Sequence, residues 1–130
     1  MPAENARRAA TVQVLVIEDD ADVRAAIEKR LQAARAFKVH TAEDGERGLR
    51  SALELRPDVV LLDIAMPGLG GWGVCRALRS DPDTMDIAIV VMTARWETES
   101  EAMAQAFRVE RVLFKPLDFG ALVETLRAVA

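Results

Sequence analysis

One cysteine, one histidine and no tyrosine occur in the 130 residues of this chain. A lone Cys75 closes no intramolecular disulfide, so the fold rests on its core and not on covalent staples, and the usage fits a reducing compartment. With neither cysteine nor histidine clustered, a zinc site of the ordinary kind is excluded. Aromatic residues make up only 5%. No apolar run approaches the roughly 20 residues that a membrane helix needs. Basic residues are also short: 17 Lys and Arg stand against 21 Asp and Glu, for a formal net charge of -4. A duplex binder needs clustered cations to displace counterions, so direct nucleic-acid binding is not expected. Met1 to Thr11 carries Pro2, Asn5 and the pair Arg7-Arg8 but no apolar core for a signal peptide. We read residues 1–11 as a flexible tail and expect a cytoplasmic protein without membrane contact.

What the chain does have is an ordinary globular composition, 51% hydrophobic and 29% charged, at a length suited to one domain. Four runs, Val12 to Ile17, Val59 to Leu62, Ile87 to Met92 and Val112 to Phe114, are rich in Val, Ile and Leu without polar alternation, as strands buried on both faces are. A fifth, Phe37 to Thr41, alternates with Lys38 and His40 and belongs nearer a sheet edge. Between them lie helical stripes: Val23, Ile27, Leu31 and Ala34; Leu49, Ala52 and Leu53; Leu122, Val123, Leu126 and Val129. Two shorter helices are predicted over Gly71 to Arg79, with Trp72, Cys75 and Leu78 inward, and over Glu97 to Phe107, with Met103, Ala106 and Phe107 inward. Five strand-helix repeats predict an α/β fold, a (βα)5 doubly wound parallel sheet of the flavodoxin-like kind over residues 12–130. With the last helix running to the end of the sequence, no output domain is expected within these 130 residues.

Ligands of open parallel sheets bind beyond the carboxyl ends of the strands. Here those ends are polar: Glu18-Asp19-Asp20 after the first strand, Asp63 after the third, Thr93 after the fourth and Lys115-Pro116 after the fifth. Taken singly, an acid there simply caps the next helix, as Asp20 or Asp22 would for the first. Capping explains neither Lys115 after an apolar strand nor Asp63 at the end of Val59 to Leu62. Crowded carboxylates repel unless a cation neutralises them. All-oxygen ligands suit Mg²⁺ or Mn²⁺. A carboxylate beside such a cation can attack a phosphoryl group, with cation, hydroxyl and amine sharing the charge on its oxygens. The alternative for Lys115 is a plain ion pair with the acids.

Four segments, "VLVIEDDADVR", "PDVVLLDIAMPGLGGWGVCRALR", "IVVMTA" and "VLFKP", together resemble the receiver domains of two-component response regulators, chemotaxis regulators among them, across Val12 to Ala130. By that resemblance Glu18 and Asp19 are the metal-binding acidic pair, Asp63 the phosphoacceptor, and the carbonyl of Ala65 a further metal ligand. Thr93 is the hydroxyl that turns toward the phosphoryl group, and Lys115 the amine that pairs with it. The resemblance also implies a cis Lys115-Pro116 bond, a sensor histidine kinase or phosphotransfer protein as donor, and a downstream protein or output domain as reader. Pairing into a homodimer through the fourth and fifth helices is a habit of the family.

The sequence departs from the family at several places. Gly70 stands where Asp or Ser is common, removing a cap for the third helix. Val112 stands where many members carry the Tyr or Phe that reports phosphorylation, so this position lacks the aromatic ring of the usual switch. Phe114 lies one pleat further on, and Trp96 is the other aromatic near Thr93. By the resemblance, Ala65 and Arg95 occupy positions that flank the approach of the attacking water. Two other functions compete. A haloacid-dehalogenase-type phosphatase shares the Asp, Thr, Lys and Mg²⁺, yet needs a second Asp two residues past the nucleophile, where this chain has Ala65. A receiver-like interaction module without phosphorylation is opposed by the intact set of Glu18, Asp19, Asp63, Thr93 and Lys115. Cys75 and His40 are read as structural.

Overall fold

Strand and helix alternate without exception through the computed structural model, which describes residues 11–130: β1 (Val12–Ile17), α1 (Ala21–Ala33), β2 (Phe37–Ala42), α2 (Gly45–Leu55), β3 (Val59–Asp63), α3 (Gly70–Ser80), β4 (Ala88–Thr93), α4 (Ser100–Ala106), β5 (Arg111–Phe114) and α5 (Phe119–Val129). Residues 1–10 of the expected tail lie outside the described residues. All five strands pair in parallel, in the order β2-β1-β3-β4-β5. The order reverses at β1, which has β2 on one side and β3 on the other. The crevice between the ends of β1 and β3 is therefore the switch point where such sheets take ligands. No helix among the described residues is long and apolar enough to cross a membrane.

Helices α1 and α5 bury Ile27, Leu31, Leu122 and Leu126 against Val14, Val16, Val59, Leu61, Val90 and Met92 on one face of the sheet. On the other face, Ala52 of α2 and Val74, Cys75 and Leu78 of α3 meet Leu15, Ile17, Val60, Leu62, Ile89 and Val91. Successive residues of β1, β3 and β4 thus enter opposite cores, which is why these strands read as unbroken apolar runs. Asp20, Asp44 and Asp118 cap α1, α2 and α5, each accepting backbone N–H bonds of the first turn.

Two inward assignments are corrected. Leu53 is exposed, and α2 instead faces the sheet with Gly45, Gly48 and Ala52. The helix sits so close that a Cβ on Gly48 would lie 2.4 Å from Ile17 Cδ1, and a leucine face would not fit. In α4 Ala106 is exposed while Ser100 and Ala104 are buried; this helix starts at Ser100, not at Glu97. In α3 the expected inward side chains hold, with Cys75 and Leu78 fully buried and Trp72 half-buried against the same core, and Val74 joins them.

Arg79, near the end of α3, is a structural anchor. Its guanidinium donates to the carbonyls of Met85 (2.7 Å), Ile87 (2.6 Å), Phe107 (2.8 Å) and Arg108 (3.1 Å), tying α3 to the segment before β4 and to the end of α4. Arg79→Lys is expected to cost about 2 kcal/mol in urea unfolding, because one ammonium cannot reach this spread of acceptors and leaves carbonyls unpaired. A lysine variant as stable as the parent would show that water replaces these bonds without loss.

Candidate functional site

Glu18 is the first residue past β1. Its N–H donates to the Ala42 carbonyl at the end of β2 (3.1 Å), and its carbonyl accepts from Arg24 Nη1 of α1 (2.8 Å). Held at both ends of its backbone, it turns a fully buried carboxylate toward the ends of β3 and β5. Asp63, the last residue of β3, is 4% exposed. One oxygen, Oδ1, accepts the Ala65 N–H at 2.9 Å; the other, Oδ2, lies 3.2 Å from Lys115 Nζ. The same ammonium sits 2.5 Å from Glu18 Oε1. Lys115 itself is placed by its N–H bond to the Thr93 carbonyl (2.8 Å) and by the cis peptide to Pro116.

The exposed Asp19 completes the acidic group: Glu18, Asp19 and Asp63 each offer a carboxylate oxygen, all within 4.8 Å of one another. Glu18 Oε2 is buried with no hydrogen-bond partner. A buried carboxylate oxygen is costly to leave unmet, and three oxygens this close suit a hard, oxygen-preferring divalent cation. The residues present fit such an ion. Asp20 is not part of this group; its Oδ1 accepts the N–H groups of Asp22 (2.9 Å) and Val23 (3.1 Å) and serves as the cap of α1. Ala65 follows Asp63 on an exposed loop, where its N–H is already given to that carboxylate.

Burial, and then the neighbouring Asp63, push the Glu18 carboxyl up to about 7. Burial also acts to raise Asp63, but the Glu18 carboxyl, the Ala65 N–H and the Lys115 ammonium outweigh it and hold Asp63 below its ordinary value. Lys115 rises despite its burial, because both acids favour its charged form. The pair is thus unequal: Glu18 is the acid that keeps a proton longest, and Asp63 the one that stays ionised.

Thr93 is buried at the end of β4, and its hydroxyl is bonded locally. It donates to the Arg95 carbonyl at 2.6 Å and accepts the Arg95 N–H at 3.0 Å. Beside it a cleft of about 300 Å³ is lined by residues including Ala65, Trp72, Arg95 and Met103. Val112 is half-buried against the core shared by α2 and α3. Cys75 is buried, and burial pushes its thiol up to about 12, in keeping with a packing role. Arg24 escaped the reading of the sequence, since a cation that bonds backbone carbonyls leaves no spacing pattern.

A parallel sheet in this order, with acids at its switch point and a lysine reaching them from β5, defines a class of doubly wound acidic-site domains. Within that class the family model for the response regulator receiver domain matches residues 14–127, and the chain belongs to this family. It is 38% identical over 117 residues to the transcriptional regulatory protein PrrA of Mycobacterium bovis, a match covering 90% of this chain and 49% of that protein. With response regulator PleD of Caulobacter vibrioides it shares 35% over 120 residues, 92% of this chain and 26% of that protein. The chain therefore spans half or less of the length of these relatives. Among solved structures, Vibrio cholerae chemotaxis protein CheY4 superposes with a TM-score of 0.86 at 29% identity, covering 93% of this chain and all of that one.

Proposed function

We propose that this receiver domain, spanning residues 12–130, takes a phosphoryl group onto Asp63 from the phosphohistidine of a sensor histidine kinase or phosphotransfer protein. The observation that carries the reading is the buried, ionised Asp63 carboxylate beside a lysine ammonium and two further acids. Glu18, Asp19, Asp63 and the carbonyl of Ala65 would hold Mg²⁺ or Mn²⁺, which when bound neutralises charge on the phosphoryl oxygens. An Asp63 oxygen forms the new O–P bond as the P–N bond breaks and its electron pair returns to the imidazole. Lys115, already at Asp63, pairs with a phosphoryl oxygen, and the Thr93 hydroxyl donates to another. The loaded state then shifts a conformational equilibrium that a downstream protein or output domain reads, with a homodimer as one such form. We place this relay in the cytoplasm.

The test is direct. Incubated with acetyl phosphate and Mg²⁺, the protein should gain one phosphoryl group by intact mass, and none when the metal is chelated. No adduct at any time point would overturn the reading, and rapid turnover of many phosphomonoesters would point to the phosphatase class instead.

Arg24 makes a related prediction. Its bonds to the carbonyls of Glu18 (2.8 Å) and Asp19 (3.5 Å) hold the loop that carries both acids. Outer residues that orient ligands typically alter metal affinity about 10-fold or more. Arg24→Ala should therefore weaken Mg²⁺ binding about 10-fold by calorimetry while Arg24→Lys retains most of it; equal affinity in all three proteins would deny Arg24 that role.

A further inference from the structure

Strand β2 is an edge of the sheet, with α1 packed on one face and α2 on the other. At its carboxyl end the two layers leave a groove of about 490 Å³, lined by Arg24 of α1, Thr41 of β2 and Arg47, Arg50, Ser51 and Glu54 of α2 among others. None of Glu18, Asp19, Asp63, Thr93 and Lys115 lines it.

Three guanidinium groups from opposite layers thus converge in a chain whose net charge is negative. Their pairing is uneven. Arg47 is held by Glu43 and Asp44. Arg24 gives Nη1 to the carbonyls of Glu18 and Asp19, while its Nε and Nη2 make no bond to a described residue. Arg50 makes no hydrogen bond or ion pair with any described residue. Glu54 lies one turn after Arg50 without pairing to it, and an exposed pair at that spacing is weak enough for a stronger anion to displace.

A guanidinium fork meets phosphate oxygens with two parallel bonds, which an ammonium cannot do. Arg24 keeps one edge of its fork, and Arg50 the whole of its own, unused in one groove. The volume lies in the range of sites for small organic molecules. Thr41 and Ser51 add hydroxyls that donate or accept, whereas the Glu54 carboxylate only accepts and disfavours a second anionic group. The lining therefore suits a phosphate joined to a neutral, hydroxyl-bearing body.

We propose that this groove binds a small organic phosphate, its phosphate between Arg24 and Arg50 and its hydroxyls toward Thr41, Ser51 and Glu54, and that its binding tightens the hold of Glu18 and Asp19 on a divalent cation. The coupling runs through Arg24. Its bond to the Glu18 carbonyl steadies the acidic loop, but its positive charge works against a cation there. A phosphate on its free edge offsets that charge and leaves Nη1 in place. Linkage makes the effect mutual, so the cation tightens the phosphate ligand by the same factor. The groove depends on no reading of Asp63; the coupling rests on the reading of Glu18 and Asp19 as metal ligands.

The probe is ribose 5-phosphate, titrated by calorimetry into the whole chain, first without metal. It should bind at one site about 10-fold or more tighter than inorganic phosphate, with ribose giving no signal. Arg50→Ala should weaken it about 10-fold or more without moving the urea midpoint, and Arg50→Lys should restore only part of the loss. In the parent, saturating probe should raise Mg²⁺ affinity about 5-fold. Arg50→Ala at the same probe concentration should show no such rise, which removes association of probe with Mg²⁺ in solution from the comparison. No binding of ribose 5-phosphate, or binding unchanged in Arg50→Ala, overturns the proposal. Inorganic phosphate held as tightly as the sugar phosphate overturns the assignment to an organic ligand. Probe binding without an effect on Mg²⁺ affinity overturns the coupling. A protein that binds the probe but no Mg²⁺ overturns the metal reading above and leaves the groove as a phosphate site.

Discussion

Glu18→Gln is expected to make the metal-free protein more stable at pH 8 by about 2–3 kcal/mol, and to abolish its stabilisation by Mg²⁺. Burial and the adjacent Asp63 hold the Glu18 carboxyl near 7 in the folded protein against an ordinary 4.5. Below pH 4.5 the folded and unfolded chains both carry this proton, and the stability it contributes is fully present. Between 4.5 and 7 the unfolded chain gives the proton up while the folded one keeps it, so stability falls as pH rises. Beyond 7 the whole difference has been lost, about 3 kcal/mol for a displacement of this size. Glutamine keeps the shape and an acceptor for Lys115 without that cost. The attraction of Lys115 for the charged form is already contained in that displacement, since it acts to lower the Glu18 carboxyl.

At pH 5 the two proteins should differ by less than about 1 kcal/mol, since Glu18 is then mostly neutral in the fold. Asp63 works in the opposite direction: held below its ordinary value, it contributes stability that is lost only as pH falls through its own range. Urea unfolding at pH 5 and pH 8, with and without Mg²⁺, separates these effects. A variant no more stable than its parent at pH 8, or one whose midpoint still climbs with Mg²⁺, would remove Glu18 from the site. The expected trade is a domain that keeps a strained acidic pocket because its ligand relieves it.

How far the fold was legible follows from what each element buries. Strands β1, β3 and β4 enter apolar cores on both faces, and nothing but an unbroken Val, Ile and Leu run satisfies that, so they were read to within a residue at each end. Helix α2 was misread at Leu53 because periodicity rewards large apolar residues. Gly45, Gly48 and Ala52 form an equally regular stripe, and only the nearness of Ile17 shows that this smaller stripe faces inward. Helix α4 is shorter than its pattern because its first residues form a turn, in which the Ser100 hydroxyl accepts the Glu97 N–H (2.9 Å). The acids, Thr93 and Lys115 were legible because each ends a strand, where a polar residue stands out. Arg24 and Arg79 were not, since their partners are backbone carbonyls, which every residue has.

Gly71→Ala is expected to be the most damaging small substitution at the start of α3, beside the Asp63 loop, at about 3 kcal/mol or more, whereas Gly70→Ala one residue earlier should cost about 1–2 kcal/mol. The two glycines are needed for different reasons. Gly70 has φ +72° with open space around it, so a methyl there meets only the intrinsic cost of the left-handed region, and asparagine should cost less still. Gly71 has a negative φ, but a Cβ on it would lie 2.3 Å from the Ile64 Cα and 2.8 Å from its Cβ. The obstacle is backbone, which no rotamer change removes. Ile64 sits between Asp63 and Ala65, and its N–H reaches the Met92 carbonyl on β4 (3.3 Å). Either α3 lifts from the sheet and opens the core around Val74 and Cys75, or the peptide carrying Asp63 and Ala65 moves and disturbs the 2.9 Å bond between them. Both routes lower stability, and the second also slows loading of Asp63. Urea unfolding together with acetyl phosphate loading rates should therefore show Gly71→Ala impaired in stability and Gly70→Ala near the parent in loading. Equal losses at the two positions would mean that backbone conformation, and not close approach, governs this loop.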